Sequence, residues 1–140
     1  MKICSVYGTD IVMFTRDEHC PPHVHANTNN CDLRIEFSFL HNDVRLLDAT
    51  PVKNKPKIRD IQALCAEMKK EVNLTKVREA WVSVIGNVCL KNKYLFCFEN
   101  ELLLEPEYMD KKILNANYDS KQKVTILTIE GISETIEVEL

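Results

Sequence analysis

The chain has 140 residues, 45% hydrophobic and 28% charged, with a net charge of -3. That composition excludes a fibrous or disordered protein and fits one core with at most a small appendage. No stretch reaches the apolar length needed to cross a bilayer, and the opening "MKICSVYGTD" lacks the basic-then-apolar pattern of a leader, so a cytoplasmic protein with no membrane partner is expected. Charge is uneven: residues 1–100 hold 14 Lys+Arg against 12 Asp+Glu, whereas residues 101–140 hold 4 against 9. The two parts therefore present different surfaces.

In chain order, "KICSVY" and "IVMFTR" read as two strands around Gly8-Thr9-Asp10. A loop follows, "RDEHCPPHVHAN", with three of the four histidines of the chain. "DLRIEFSFL" then alternates Leu33, Ile35, Phe37 and Phe39 against Arg34, Glu36 and Ser38, the pattern of a half-buried strand. His41-Asn42-Asp43 turns into "VRLLDA", and Pro51 and Pro56 bracket a loop. From Lys57 the period becomes helical, with a stripe through Ile58, Ile61, Leu64, Cys65, Met68 and Val72 and a second through Leu74, Val77, Trp81, Val84 and Val88. After "KNKYLFCF" the acidic "ENELLLEPE" reads as a connector, and "KILNANY", "KVTILTI" and "ETIEVEL" as three short strands. The expected fold is α+β: a small antiparallel sheet packed against a two-helix hairpin over residues 1–98, with a three-stranded β extension over 99–140. The six cysteines lie largely within apolar patterns and are expected to be reduced.

The histidine loop carries the chemistry. Pro21-Pro22 restricts the backbone, and an extended His23-Val24-His25 puts both imidazoles on one face. Three readings are open. As an acid-base site on a phosphodiester, His23 and His25 would be the catalytic pair, with Arg16 or Arg34 holding the phosphate. As a metal site, His19, His23 and His25 would be ligands, and Cys20 and Cys31 could complete a zinc set. As a structural or interaction element, the histidines would fix the loop or face a protein partner. Glycine occurs only at Gly8, Gly86 and Gly131, so no phosphate-binding glycine loop exists and no nucleotide cofactor is called for.

Asp17, His19, Pro21, Pro22, His23, His25 and Ala26, with Trp81 in "VREAWVSV", resemble the bacterial domain-of-unknown-function family 4160 over residues 1–95. The resemblance implies Asp17, His19, His23 and His25 as motif residues and leaves Cys20 outside. Residues 108–140 resemble family 2442, also of unknown function, through short strands around Glu130-Gly131. The two likenesses imply a toxin-antitoxin-type protein of bacterial or mobile-element origin. It would act through the loop on RNA or on a protein target, in the first case as a metal-independent ribonuclease with Asp17, His19 and Arg34 as binding residues. The competing expectation is a non-catalytic inhibitor or adaptor whose acidic end occupies a partner's basic, nucleic-acid-binding surface. The oligomeric state is not legible from the sequence.

Overall fold

A computed structural model of the chain describes residues 1–98, 101–105 and 111–140. The chain forms two compact units, Met1–Gly86 and Asn87–Leu140. The sequence had placed the division after residue 98. Both units are antiparallel, and the first carries two α-helices, so the mixed α+β class holds.

In the first unit, β1 (Lys2–Val6), β2 (Thr9–Val12), β3 (His23–Thr28), β4 (Cys31–Glu36) and β5 (Arg45–Thr50) form a meander in chain order. Two hairpins use two-residue turns with both residues at positive φ: Tyr7 (47°) and Gly8 (82°), then Asn29 (55°) and Asn30 (54°). Such turns match the twist of the strands they join, and Asn and Gly tolerate that backbone best. The second turn changes the expected picture of the histidine segment. Its C-terminal half is not loop but strand β3, paired with β4 from His23↔Glu36 to Thr28↔Cys31.

That register sorts the side chains. Val24 pairs with Ile35 and Ala26 with Leu33, and all four are fully buried. On the opposite face lie His23 beside Glu36, His25 beside Arg34, and Asn27 beside Asp32. The expected alternation of Leu33, Ile35, Phe37 and Phe39 is present as a run of buried side chains, although the strand itself ends at Glu36.

Helix α1 (Ile58–Met68) buries Ile61, Leu64 and Met68, and α2 (Glu71–Ile85) buries Leu74, Val77, Ala80 and Trp81. Ile58, Val72 and Val84, expected on the buried stripes, are exposed, because the first two sit in the first turn of their helices and Val84 in the last turn of α2, beyond the packed face. Asn73 Nδ2 donates to the Glu67 carbonyl at 2.7 Å and so ties the two helices at their short junction. Gly86 ends α2 at φ 80°, the left-handed stop that glycine provides.

The second unit is larger than the expected three strands. β6 (Tyr94–Phe98), β7 (Glu101–Glu105), β8 (Lys111–Asp119), β9 (Val124–Ile129) and β10 (Ile136–Glu139) form a five-stranded sheet in the order β10-β9-β8-β6-β7. "KNKYLFCF" therefore belongs here and not to the first core. Of the expected connector, residues 101–105 are strand, and residues 99, 100, 106 and 107 lie outside the described residues. Ile113, Leu127 and Ile129 are the most buried apolar side chains of this unit among the described residues. Asp119 Oδ1 accepts from the Lys121 and Gln122 amides and closes the β8–β9 turn. No helix among the described residues is long and apolar enough to cross a membrane.

Candidate functional site

Strand β3 fixes two of the candidate side chains and the segment before it supplies a third. Positions 23 and 25 share a face because strand side chains alternate. The chain reaches them from β2 through Asp17, whose φ of 60° turns the backbone so that the Glu18 side chain faces inward, only 5% exposed. His23 and His25 are 1% and 8% exposed.

The three side chains meet. Glu18 Oε2 lies 2.7 Å from His23 Nε2, and Glu18 Oε1 lies 3.1 Å from His25 Nε2. The other nitrogens also face oxygens: His23 Nδ1 is 2.8 Å from the Pro21 carbonyl, and His25 Nδ1 is 3.3 Å from Asp32 Oδ2. A carbonyl oxygen can only accept, so His23 Nδ1 carries the hydrogen. In the neutral ring its Nε2 then presents a lone pair to a carboxylate. Although that approach is 2.7 Å, Glu18 Oε2 is buried and makes no hydrogen bond. The close contact is one of position and not of hydrogen-bonding geometry.

Aromatic rings wall the cluster. Phe14 stacks on His25 with centroids 4.0 Å apart, and the His23 and His25 rings stand edge to face at 4.9 Å. Trp81 lies 5.8 Å from His23 and 5.8 Å from Phe37, joining the histidines to the core. Residues 8–74 match the model of a family described as Domain of unknown function, DUF4160. That stretch is similar to the DUF4160 family over a little under half of the chain. The match spans the loop, all three cluster residues and helix α1, and stops short of Trp81. The likeness of residues 108–140 to family 2442 lies outside it. No curated protein and no solved structure matches the chain.

The sequence-derived candidates within the matched segment divide sharply. His23 and His25 come together as expected from the H-x-H step. His19 is exposed, its ring centroid 5.9 Å from that of His23, and Glu18 takes the place in the cluster that His19 was expected to fill. Arg16 and Asp17 are exposed on the loop. Arg34 is not a free cation: its Nε donates to Asp48 Oδ1 and Oδ2 at 2.8 and 3.0 Å across the β4–β5 pair. Cys20 is disulfide-bonded, contrary to the expected thiol, while Cys4, Cys31 and Cys65 are free. A disulfide sulfur has no thiolate to offer a metal, which removes Cys20 from the expected zinc set. Cys31 is buried, its Sγ 3.5 Å from the Pro51 carbonyl. Each of Glu18, His23 and His25 offers one donor atom, all within 4.8 Å of one another.

Glu18 and Asp32 were not singled out in the sequence. Glu18 had a signal, being the carboxylate that separates Asp17 from His19 inside the motif. Asp32 had none until the Asn29-Asn30 turn folded β4 back on β3.

Asp48 carries the clearest titration consequence. The hydrogen bond from Arg34 holds its carboxyl below the usual aspartate value, and Arg34 is correspondingly pushed up. A lowered carboxylate value means the unfolded chain binds the proton more readily, so this contribution is complete above about pH 4 and fades as pH falls through the folded value. Comparing thermal midpoints of the native chain and Asp48→Asn between pH 7 and pH 2 should show a gap that closes in acid. With the two side chains 30% and 38% exposed, the gap should be small throughout.

Proposed function

We propose that the protein acts by binding, as a toxin-antitoxin-type inhibitor or adaptor that occupies a basic, nucleic-acid-binding surface of a protein partner. The observation that supports this reading is the burial of the histidine pair. A metal-independent ribonuclease needs a base within reach of a 2'-hydroxyl and an acid at the leaving oxygen. His23 and His25 are 1% and 8% exposed and turn their ring nitrogens to Glu18, Pro21 and Asp32. Arg34, the expected phosphate cation, is engaged with Asp48.

Exposed carboxylates gather at one edge of the second unit. In the second unit β10 is an edge strand, with Glu137 and Glu139 exposed along it and Glu134 exposed just before it. Carboxylates on a free edge discourage promiscuous strand pairing while remaining available to a complementary basic surface. The test uses a partner recovered by affinity capture and then purified. Neutralising Glu134, Glu137 and Glu139 together to glutamine should weaken the complex several-fold and flatten its salt dependence, read by titration at two ionic strengths. Unchanged affinity and slope would remove the acidic edge as the contact. In parallel, RNA incubated with the purified chain in chelator should stay intact; cutting that is lost in His23→Ala would reverse the reading in favour of catalysis.

A further inference from the structure

The buried Glu18 oxygen is the starting point. A carboxylate whose side chain is 95% enclosed, with Oε2 lacking any hydrogen bond, is costly unless a positive charge compensates it. The two nitrogens nearest to it are His23 Nε2 and His25 Nε2; Nδ1 of each ring turns to another oxygen, and His25 Nε2 is itself hydrogen-bonded to Glu18 Oε1. We propose that Glu18, His23 and His25 form a binding site for one divalent transition-metal ion of the zinc class. This holds independently of which partner the protein binds.

Three features support the assignment. The first is the donor set. Two imidazoles and one carboxylate suit zinc, cobalt or iron in the divalent state, whereas magnesium and calcium prefer oxygen donors throughout. The second is the outer layer. Metal-bound histidines donate their second N–H to a carbonyl or carboxylate, which fixes ring orientation and leaves the other nitrogen as the ligand. Pro21 O does this for His23 and Asp32 for His25. The third is distance. A tetrahedral ion about 2.0–2.2 Å from each donor holds the donors about 3.3–3.6 Å from one another. The three atoms lie within 4.8 Å of one another, so closing on an ion takes side-chain movements of about 1 Å.

The same geometry separates this site from the one anticipated from spacing alone. Glu18 replaces His19, and neither cysteine near the motif joins. Three protein donors leave a fourth position for water or for the exposed His19. An ion there would fasten the segment between β2 and β3 onto the sheet, since Glu18 belongs to the former and both histidines to the latter.

The competing account is a proton: an imidazolium on Glu18 would also compensate the charge. Metal binding by the full chain distinguishes the two. After dialysis against chelator, the protein should take up one equivalent of zinc, with a rise in thermal midpoint, and one equivalent of cobalt with the visible absorption of a tetrahedral or five-coordinate site. Glu18→Gln keeps the shape of the side chain and should weaken zinc at least 10-fold and change the cobalt spectrum. Asp32→Asn, acting through His25, should weaken zinc about 10–100-fold. No uptake by the native chain, or Glu18→Gln binding as tightly with the same spectrum, would overturn the proposal. Because Glu18→Gln changes no core volume, its fold can be checked by circular dichroism in the same samples.

Discussion

Trp81→Ala should cost the first unit about 3–5 kcal/mol, the usual range for truncating a fully enclosed tryptophan. The side chain is 0% exposed and touches both layers of the structure: the His23 ring at 5.8 Å on the site side and Phe37 at 5.8 Å on the core side. Its removal leaves a cavity against His23, whose position depends on the walls around it as much as on the Pro21 carbonyl. Trp81→Phe should lose less than half as much. It keeps an aromatic ring against both neighbours and deletes an indole N–H that is buried without a partner. Urea unfolding followed by far-ultraviolet circular dichroism measures both, since Trp81 is the only tryptophan and fluorescence disappears with it. Equal losses for the two variants would mean that the ring contacts contribute little and the indole volume is decisive.

How far the site was legible in the sequence follows from which contacts are local. The H-x-H step put His23 and His25 on one face because strand geometry repeats every two residues, and the structure bears this out. The alternation from Leu33 to Phe39 was readable for the same reason, and the stripes of α1 and α2 from the 3.6-residue helical repeat, apart from the exposed Ile58, Val72 and Val84 near the helix ends. Glu18 was missed because its inward direction depends on the backbone turn at Asp17, a single φ angle that no periodicity announces. Asp32 was missed because a cross-strand neighbour is set by the turn, and Asn29-Asn30 is a weaker hairpin signal than Asn-Gly. In the second unit, β7 was read as a connector because its "ELLLE" has charges at both ends and no alternation. The oxidised state of Cys20 depends on a partner in space and had no local mark.

Arg78 is a different kind of omission, since its position was visible. Leu74, Arg78 and Trp81 follow the i, i+4, i+7 spacing of one helix face, and a charge on a buried stripe implies partners waiting for it. The structure supplies them. Arg78 is 3% exposed, its Nε donates to the Ser38 carbonyl at 2.9 Å, and its Nη2 donates to the His41 carbonyl at 2.9 Å and Asn42 Oδ1 at 3.0 Å. One guanidinium thus holds the whole turn between β4 and β5 against α2. Arg78→Met keeps most of the aliphatic volume but strands these acceptors, and should cost about 2–4 kcal/mol, one to two acceptors' worth of lost hydrogen bonding after the outermost rehydrates. Arg78→Lys retains the charge yet cannot span three acceptors from a single nitrogen, so it should recover only part of the loss. Urea midpoints of the three proteins test the order Arg, Lys, Met. A lysine variant as stable as the native chain would show that charge alone, and not the forked geometry, secures the turn.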